Sequence, residues 1–138
     1  MAVAPDEKPK VKVPQQGEHF FRMDGVESVL GGPDYSSAIG TAVEGEKMIV
    51  GLMRMPPGTG ADPHSHPNEQ WVFVIEGTLE MEVAGHVDRA EAGTVVYVPG
   101  NAVHSSRVHG DKDVVFFTVK DTSWGLEGIV AGEPRLQP

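Results

Sequence analysis

No cysteine occurs among the 138 residues. Disulfide stapling and thiolate metal sites are therefore excluded, and any bound metal must rest on nitrogen and oxygen ligands. Basic residues are scarce beside acidic ones, 11 against 20, for a formal charge of −9. Such a chain lacks the basic surface that sequence-independent binding to nucleic-acid phosphates requires, although a local site can oppose the global sign. No apolar run approaches the roughly 18 residues of a membrane span. The N-terminus carries no apolar signal core, so a soluble cytoplasmic protein with neither nucleic-acid nor membrane partners is the expectation. Nor does any segment offer an amphipathic helix of about ten residues.

Glycine and proline are plentiful, at 17 and 11, and 39% of the chain is hydrophobic. Many short segments joined by turns around a real core suit an all-β barrel or sandwich. The length fits one domain. Residues 1–17, rich in Pro, Lys and Gln, read as a flexible arm in which Val11 and Val13 could add an edge strand to a partner. Residues 28–40 read as irregular connection. Apolar or alternating segments at Met48–Met55, Trp71–Ile75, Leu79–Val83, Thr94–Val98 and Val114–Val119 are bounded by turn residues and predict strands. Residues 121–132 suit one helical turn or a last short strand, and 132–138 a tail. This gives a domain over 18–131, a single small antiparallel unit closed or folded over to avoid exposed edges.

The chemistry concentrates in the stretch HSHPNEQWVFVIEG, residues 64–77. In an extended chain, residues i and i+2 share a face, so His64 and His66 point the same way, followed by Asn68, Gln70, Val72 and Val74. Glu69, chemically the more obvious ligand, falls on the other face. His104 follows the strand at Thr94–Val98 and can supply a third imidazole from elsewhere in the barrel. Single histidines are more often exposed or hydrogen-bonded than metal-bound, and the pair alone does not decide the matter.

The spacing Gly58-x5-His64-x-His66-x3-Gln70-x6-Gly77 resembles the first signature motif of the cupin superfamily, and Gly93-x5-Pro99-x4-His104 resembles the second. The resemblance covers roughly residues 46–120. It implies an all-β, double-stranded β-helix (the cupin jelly-roll barrel) in a single domain, with a divalent metal at its mouth and a tendency to homodimerise. Two departures stand out: Gln70 replaces the usual Glu of the first motif, while in the second Asn101 stands where glycine is typical and Val108 where asparagine often is.

The ligand set implied is His64, His66, Gln70 and His104, with Gln70 either coordinating or hydrogen-bonding a water or a ligand histidine. Three imidazoles and a carboxamide leave the ion its full charge and suit Fe, Mn, Ni, Co, Cu or Zn better than Mg or Ca. Arg54 and Tyr97 are the candidate catalytic residues. Arg54 would meet a substrate carboxylate or form a rim salt bridge. Tyr97, Trp71 and Phe117 would line the pocket or pack around it. His19, His86 and His109 read as surface residues.

Three functions remain open at this point. The first is a Lewis-acid isomerase or lyase acting on an enolisable, anionic or oxygen-rich small molecule such as a keto or unsaturated sugar acid, as the set's similarity to uronate-converting cupins implies. The second is an Fe(II) dioxygenase cleaving a diketone-like or aromatic-derived substrate. The third is a non-catalytic sugar- or metabolite-binding protein.

Overall fold

Which face of each strand is buried follows from its alternation. The computed structural model describes residues 11–131. In chain order its strands are β1 (Val29–Leu30), β2 (Ile39–Glu44), β3 (Met48–Met55), β4 (Gly60–Ser65), β5 (Gln70–Glu76), β6 (Thr78–Val83), β7 (His86–Glu91), β8 (Val95–Val98), β9 (His104–His109), β10 (Val114–Asp121) and β11 (Ile129–Val130). A short 3-10 turn, Met23–Gly25, is the only helical element among the described residues. The strands form a six-stranded sheet in the order β1-β2-β3-β10-β5-β8 and a five-stranded sheet in the order β11-β4-β9-β6-β7. Every pairing between these strands is antiparallel. The fold is the all-β jelly roll.

The core lies between the sheets. In β3, Ile49, Met53 and Met55 point inward while Arg54 is exposed. Val72 and Val74 from β5, Leu79 and Met81 from β6, and Val114 and Phe116 from β10 join Met53 and Met55 in one cluster. Removing such side chains from water is worth about 1.5–3 kcal/mol each. The opposite face of the larger sheet leaves Trp71, Phe73, Ile75, Val95 and Tyr97 half-exposed.

The strands expected at 48–55, 71–75, 79–83, 94–98 and 114–119 are present as β3, β5, β6, β8 and β10, shifted by at most two residues at an end. Residues 28–40 are not wholly irregular, since they contain β1 and the start of β2. Of the N-terminal arm, Lys12 pairs in parallel with Val43 of the same chain, so the segment extends its own sheet there. The rest of the arm at residues 1–10, and the tail at 132–138, lie outside the described residues.

Two of the backbone positions with left-handed geometry bear on the motifs. Gly77, between β5 and β6, has φ +80°, and a Cβ there would come within 2.5 Å of the Asp113 carbonyl oxygen. Asn101, in the β8–β9 turn, has φ +67°, a conformation asparagine tolerates better than most residues. The replacement of the usual glycine therefore keeps the turn.

Candidate metal centre

The alternation through the histidine stretch survives the break between β4 and β5. His64, His66, Asn68, Gln70, Val72 and Val74 are all buried, and Pro67, Glu69, Trp71 and Phe73 are all exposed. Pro67 thus leaves the parity intact across the connection. From the neighbouring strand, His104 sits directly opposite His64 in the β4–β9 register. The ring centroids are 4.1 Å apart for His64 and His104, and 4.9 Å for His66 and His104. One ligand nitrogen from each of the three rings lies within 4.8 Å of the other two.

Hydrogen bonds fix which nitrogen faces inward. The Nδ1–H of His64 donates to the Asp62 carbonyl (2.7 Å), that of His66 to the Asn68 carbonyl (2.8 Å), and that of His104 to the Ala102 carbonyl (2.9 Å). A carbonyl only accepts, so each neutral ring carries its proton on Nδ1 and keeps a lone pair on Nε2. The Nε2 of His104 is buried and has no partner. Burial, reinforced by the neighbouring rings and by Lys120, holds the imidazoles neutral: it pushes His64 down to about 3 and His104 down to about 4, and lowers His66.

Gln70 is oriented by a similar chain of donors. The Thr118 hydroxyl gives its one proton to the Trp71 carbonyl (3.0 Å), so it accepts from the Gln70 amide Nε2 (2.8 Å). That turns Oε1 of Gln70 toward the histidines, 3.2 Å from Nε2 of His66. Two lone-pair-bearing atoms then face one another, an arrangement that a shared cation relieves. Together with the orphaned Nε2 of His104, this donor set fits a divalent transition metal.

The site opens into a cavity of about 60 Å³ between the sheets, lined by His64, Gln70 and His104 with Tyr35, Thr118 and Lys120 among others, and by no Asp or Glu among the described residues. Tyr35 stacks on His64 at 4.0 Å and accepts a hydrogen bond from the Gly128 amide (2.6 Å). Burial raises its hydroxyl to about 12. Lys120, opposite Gln70 in the β5–β10 register, is 5% exposed, and burial lowers its ammonium to about 8.

The remaining candidates lie elsewhere. Arg54 is turned outward, paired with Asp113 at 2.9 Å, because it alternates with the inward Met53 and Met55. Tyr97 is on the outer face for the same reason, its hydroxyl donating to Glu69 (3.0 Å) and its ring 4.6 Å from that of Trp71. Neither lines the cavity. Phe117 is only partly buried, paired with Leu52 and Phe73. His19, His86 and His109 are exposed.

Tyr35, Thr118 and Lys120 escape a reading of the sequence as metal motifs. Alternation beginning at Phe116 was the available signal for Thr118 and Lys120. For Tyr35, in a turn-rich connection, there was none.

Comparison with known proteins agrees with this geometry. The family model for the cupin domain matches residues 51–120. The chain is 30% identical over 74 residues to a 5-nitrosalicylic acid 1,2-dioxygenase of Bradyrhizobium sp, covering 54% of this chain and 36% of that one. It is also 30% identical over 99 residues to an H2HPP isomerase of Bacillus subtilis, covering 71% and 39%. The chain spans less than half the length of the curated relatives it matches. A solved cupin-2 domain from Rhodospirillum rubrum superposes with a TM-score of 0.70 at 18% identity, over 86% of this chain and 83% of that one, a likeness of fold. The three clustered histidines of this chain, and the strands that present them, fall within the segment matched by the family model, and the chain belongs to the cupin family.

Proposed function

We propose that the protein is a metal-dependent enzyme of the isomerase or lyase type, acting on a small enolisable, oxygen-rich acid such as a keto acid. The observation that carries this reading is the donor set: three neutral imidazoles with Nε2 turned inward and an oriented carboxamide oxygen, beside a cavity that no carboxylate lines among the described residues. His64, His66, His104 and Gln70 would hold the ion. When bound, a divalent transition metal supplies Lewis acidity to a carbonyl or enol oxygen, and these neutral ligands leave its charge uncancelled.

The chain's own groups define the rest. The apolar walls from Met53, Val72 and Leu79 exclude water, and the carbonyls of Asp62, Asn68 and Ala102 hold the rings in one tautomer. Tyr35 keeps its proton at neutral pH and stands in the cavity wall, where it can donate that proton to an enolate and be reprotonated from solvent. Similarity to a protein named as an isomerase supports this chemistry. The half-exposed Trp71, Phe73, Ile75 and Val95 give the expected homodimer an apolar surface.

A second reading, an iron-dependent dioxygenase, is favoured by the similarity to a protein named as a dioxygenase and by a carboxylate-free ligand set. One experiment separates the two. Metal content of the purified protein is measured, and hydrogen–deuterium exchange at the carbon next to the keto group of pyruvate is followed by NMR without oxygen. Stoichiometric metal with protein-dependent exchange is the expected result, lost in His64→Ala and His104→Ala. Stoichiometric iron with oxygen uptake and no anaerobic exchange gives the second reading. A chain that loads no metal overturns both.

A further inference from the structure

Lys120 is the cationic side chain of the cavity wall, and among the described residues no acidic side chain lines that wall. Its side chain points inward because it continues the alternation of Phe116 and Thr118 along β10. Its ammonium donates to one partner, the Leu126 carbonyl, in the connection between β10 and β11 that closes over the cavity. Among the described residues it makes no salt bridge. An ammonium has three protons to give, so two donor positions are left toward the cavity. A buried lysine without a counterion is costly and uncommon in a fold that has no use for it. None of the acidic side chains among the described residues lies in this wall.

The same wall carries His64, Gln70 and His104, three of the proposed metal ligands and all of them neutral. A divalent ion there and the ammonium of Lys120 would repel each other across a low-dielectric cavity, and no protein group offsets either charge. An anion arriving from outside would offset both charges. The available space, about 60 Å³, is that of roughly four or five water-sized places, which favours a small molecule over a sugar chain or polyketide.

We infer that Lys120 is the specificity-determining residue of the site, receiving the carboxylate of a small oxo- or hydroxy-acid whose other oxygens face the histidines. This deepens the proposed function and rests on it. It also moves carboxylate recognition away from Arg54, whose guanidinium is already paired outside the barrel.

The test uses the full chain loaded with zinc, titrated calorimetrically with oxalate, with pyruvate and with methyl pyruvate, the neutral ester that keeps both carbonyl oxygens. In Lys120→Met, oxalate and pyruvate are expected to bind about 10–100-fold more weakly, the loss associated with a charge-assisted hydrogen bond. Methyl pyruvate and zinc stoichiometry should change little. Equal losses for the acid and the ester, or no loss for either, overturn the inference. Should the variant fail to fold, the wild-type chain with 13C-labelled lysine answers the question: the Lys120 ε-carbon resonance must move on adding oxalate and stay unmoved on adding methyl pyruvate. The same titration on metal-free protein separates the two claims. Absence of metal uptake with a responsive Lys120 removes the metal reading alone, and a silent Lys120 in both forms removes the inference.

Discussion

Thr118 shows how much a single hydroxyl settles. It accepts from the Gln70 amide and donates to the Trp71 carbonyl, so it decides which end of the carboxamide faces the histidines. Thr118→Val keeps the shape and removes both bonds. Gln70 is then free to rotate, and zinc affinity measured by competition with a chelator should fall about 10–100-fold, the range typical for partners that orient metal ligands. A buried unsatisfied amide costs about 1–3 kcal/mol, so the urea midpoint of the metal-free protein should fall as well. At this scale the sequence was legible wherever period-two alternation ran: it placed His64, His66 and Gln70 on one face and Glu69 on the other. The same rule applied to β3 and β8 turns Arg54 and Tyr97 outward. Their chemistry suggested catalysis, while their parity opposed it. Lys120 was hidden by the opposite mistake, since a lysine at a strand end ordinarily reads as solvent-exposed.

Elements were legible in proportion to their apolar content. β3, β5, β6 and β10 present near-continuous or alternating apolar residues, and the sequence located them. β7 (HVDRAE) buries one residue of six, being an edge strand with a single neighbour, and β9 (HSSRVH) alternates the polar Ser105, Arg107 and His109 with its buried His104, Ser106 and Val108. A hydrophobic pattern cannot find such strands; only pairing with β6 and β4 defines them. The β10–β11 connection is held by long-range polar contacts that have no local sequence signal. The Asn68 side-chain amide donates to the carbonyls of Asp121 (2.8 Å), Gly125 (3.3 Å) and Trp124 (3.4 Å), while Lys120 holds Leu126 and Tyr35 holds Gly128. Asn68→Ala removes the first set. It should destabilise the protein by about 1–3 kcal/mol. Hydrogen exchange should also accelerate in residues 122–128 before it does in β5 or β10, because a connection with few apolar contacts opens locally. Uniform acceleration across the sheets would instead mean that Asn68 supports the barrel and not its cover.

For the whole molecule, a buried trio of neutral histidines ties stability to pH. His64 and His104 titrate near 3 and 4 when folded, and His66 is also lowered, against an ordinary value of 6.5. Below pH 6.5 the unfolded chain takes up protons that the folded one refuses. The rings' contribution is therefore fully present above about 6.5 and is lost as pH falls toward 3–4. Each ring's slope rises toward about 1.4 kcal/mol per pH unit below 6.5, so two rings remove about 3 kcal/mol between pH 6.5 and 5, a large part of the 5–15 kcal/mol that holds a typical domain. Ordinary carboxylates titrate mostly below this window, near 4, which leaves the histidines as its main contributors. The urea midpoint of metal-free protein should accordingly drop steeply from pH 6.5 to 5, and His104→Gln should flatten the drop by about one ring's worth. Zinc binds only the neutral rings, so saturating zinc should raise the midpoint at pH 7 and lose that effect as acid displaces it. A midpoint that holds steady from pH 7 to 5 in the metal-free chain would mean that the rings accept protons in place, and the convergence of three Nε2 lone pairs would no longer describe the protein in solution.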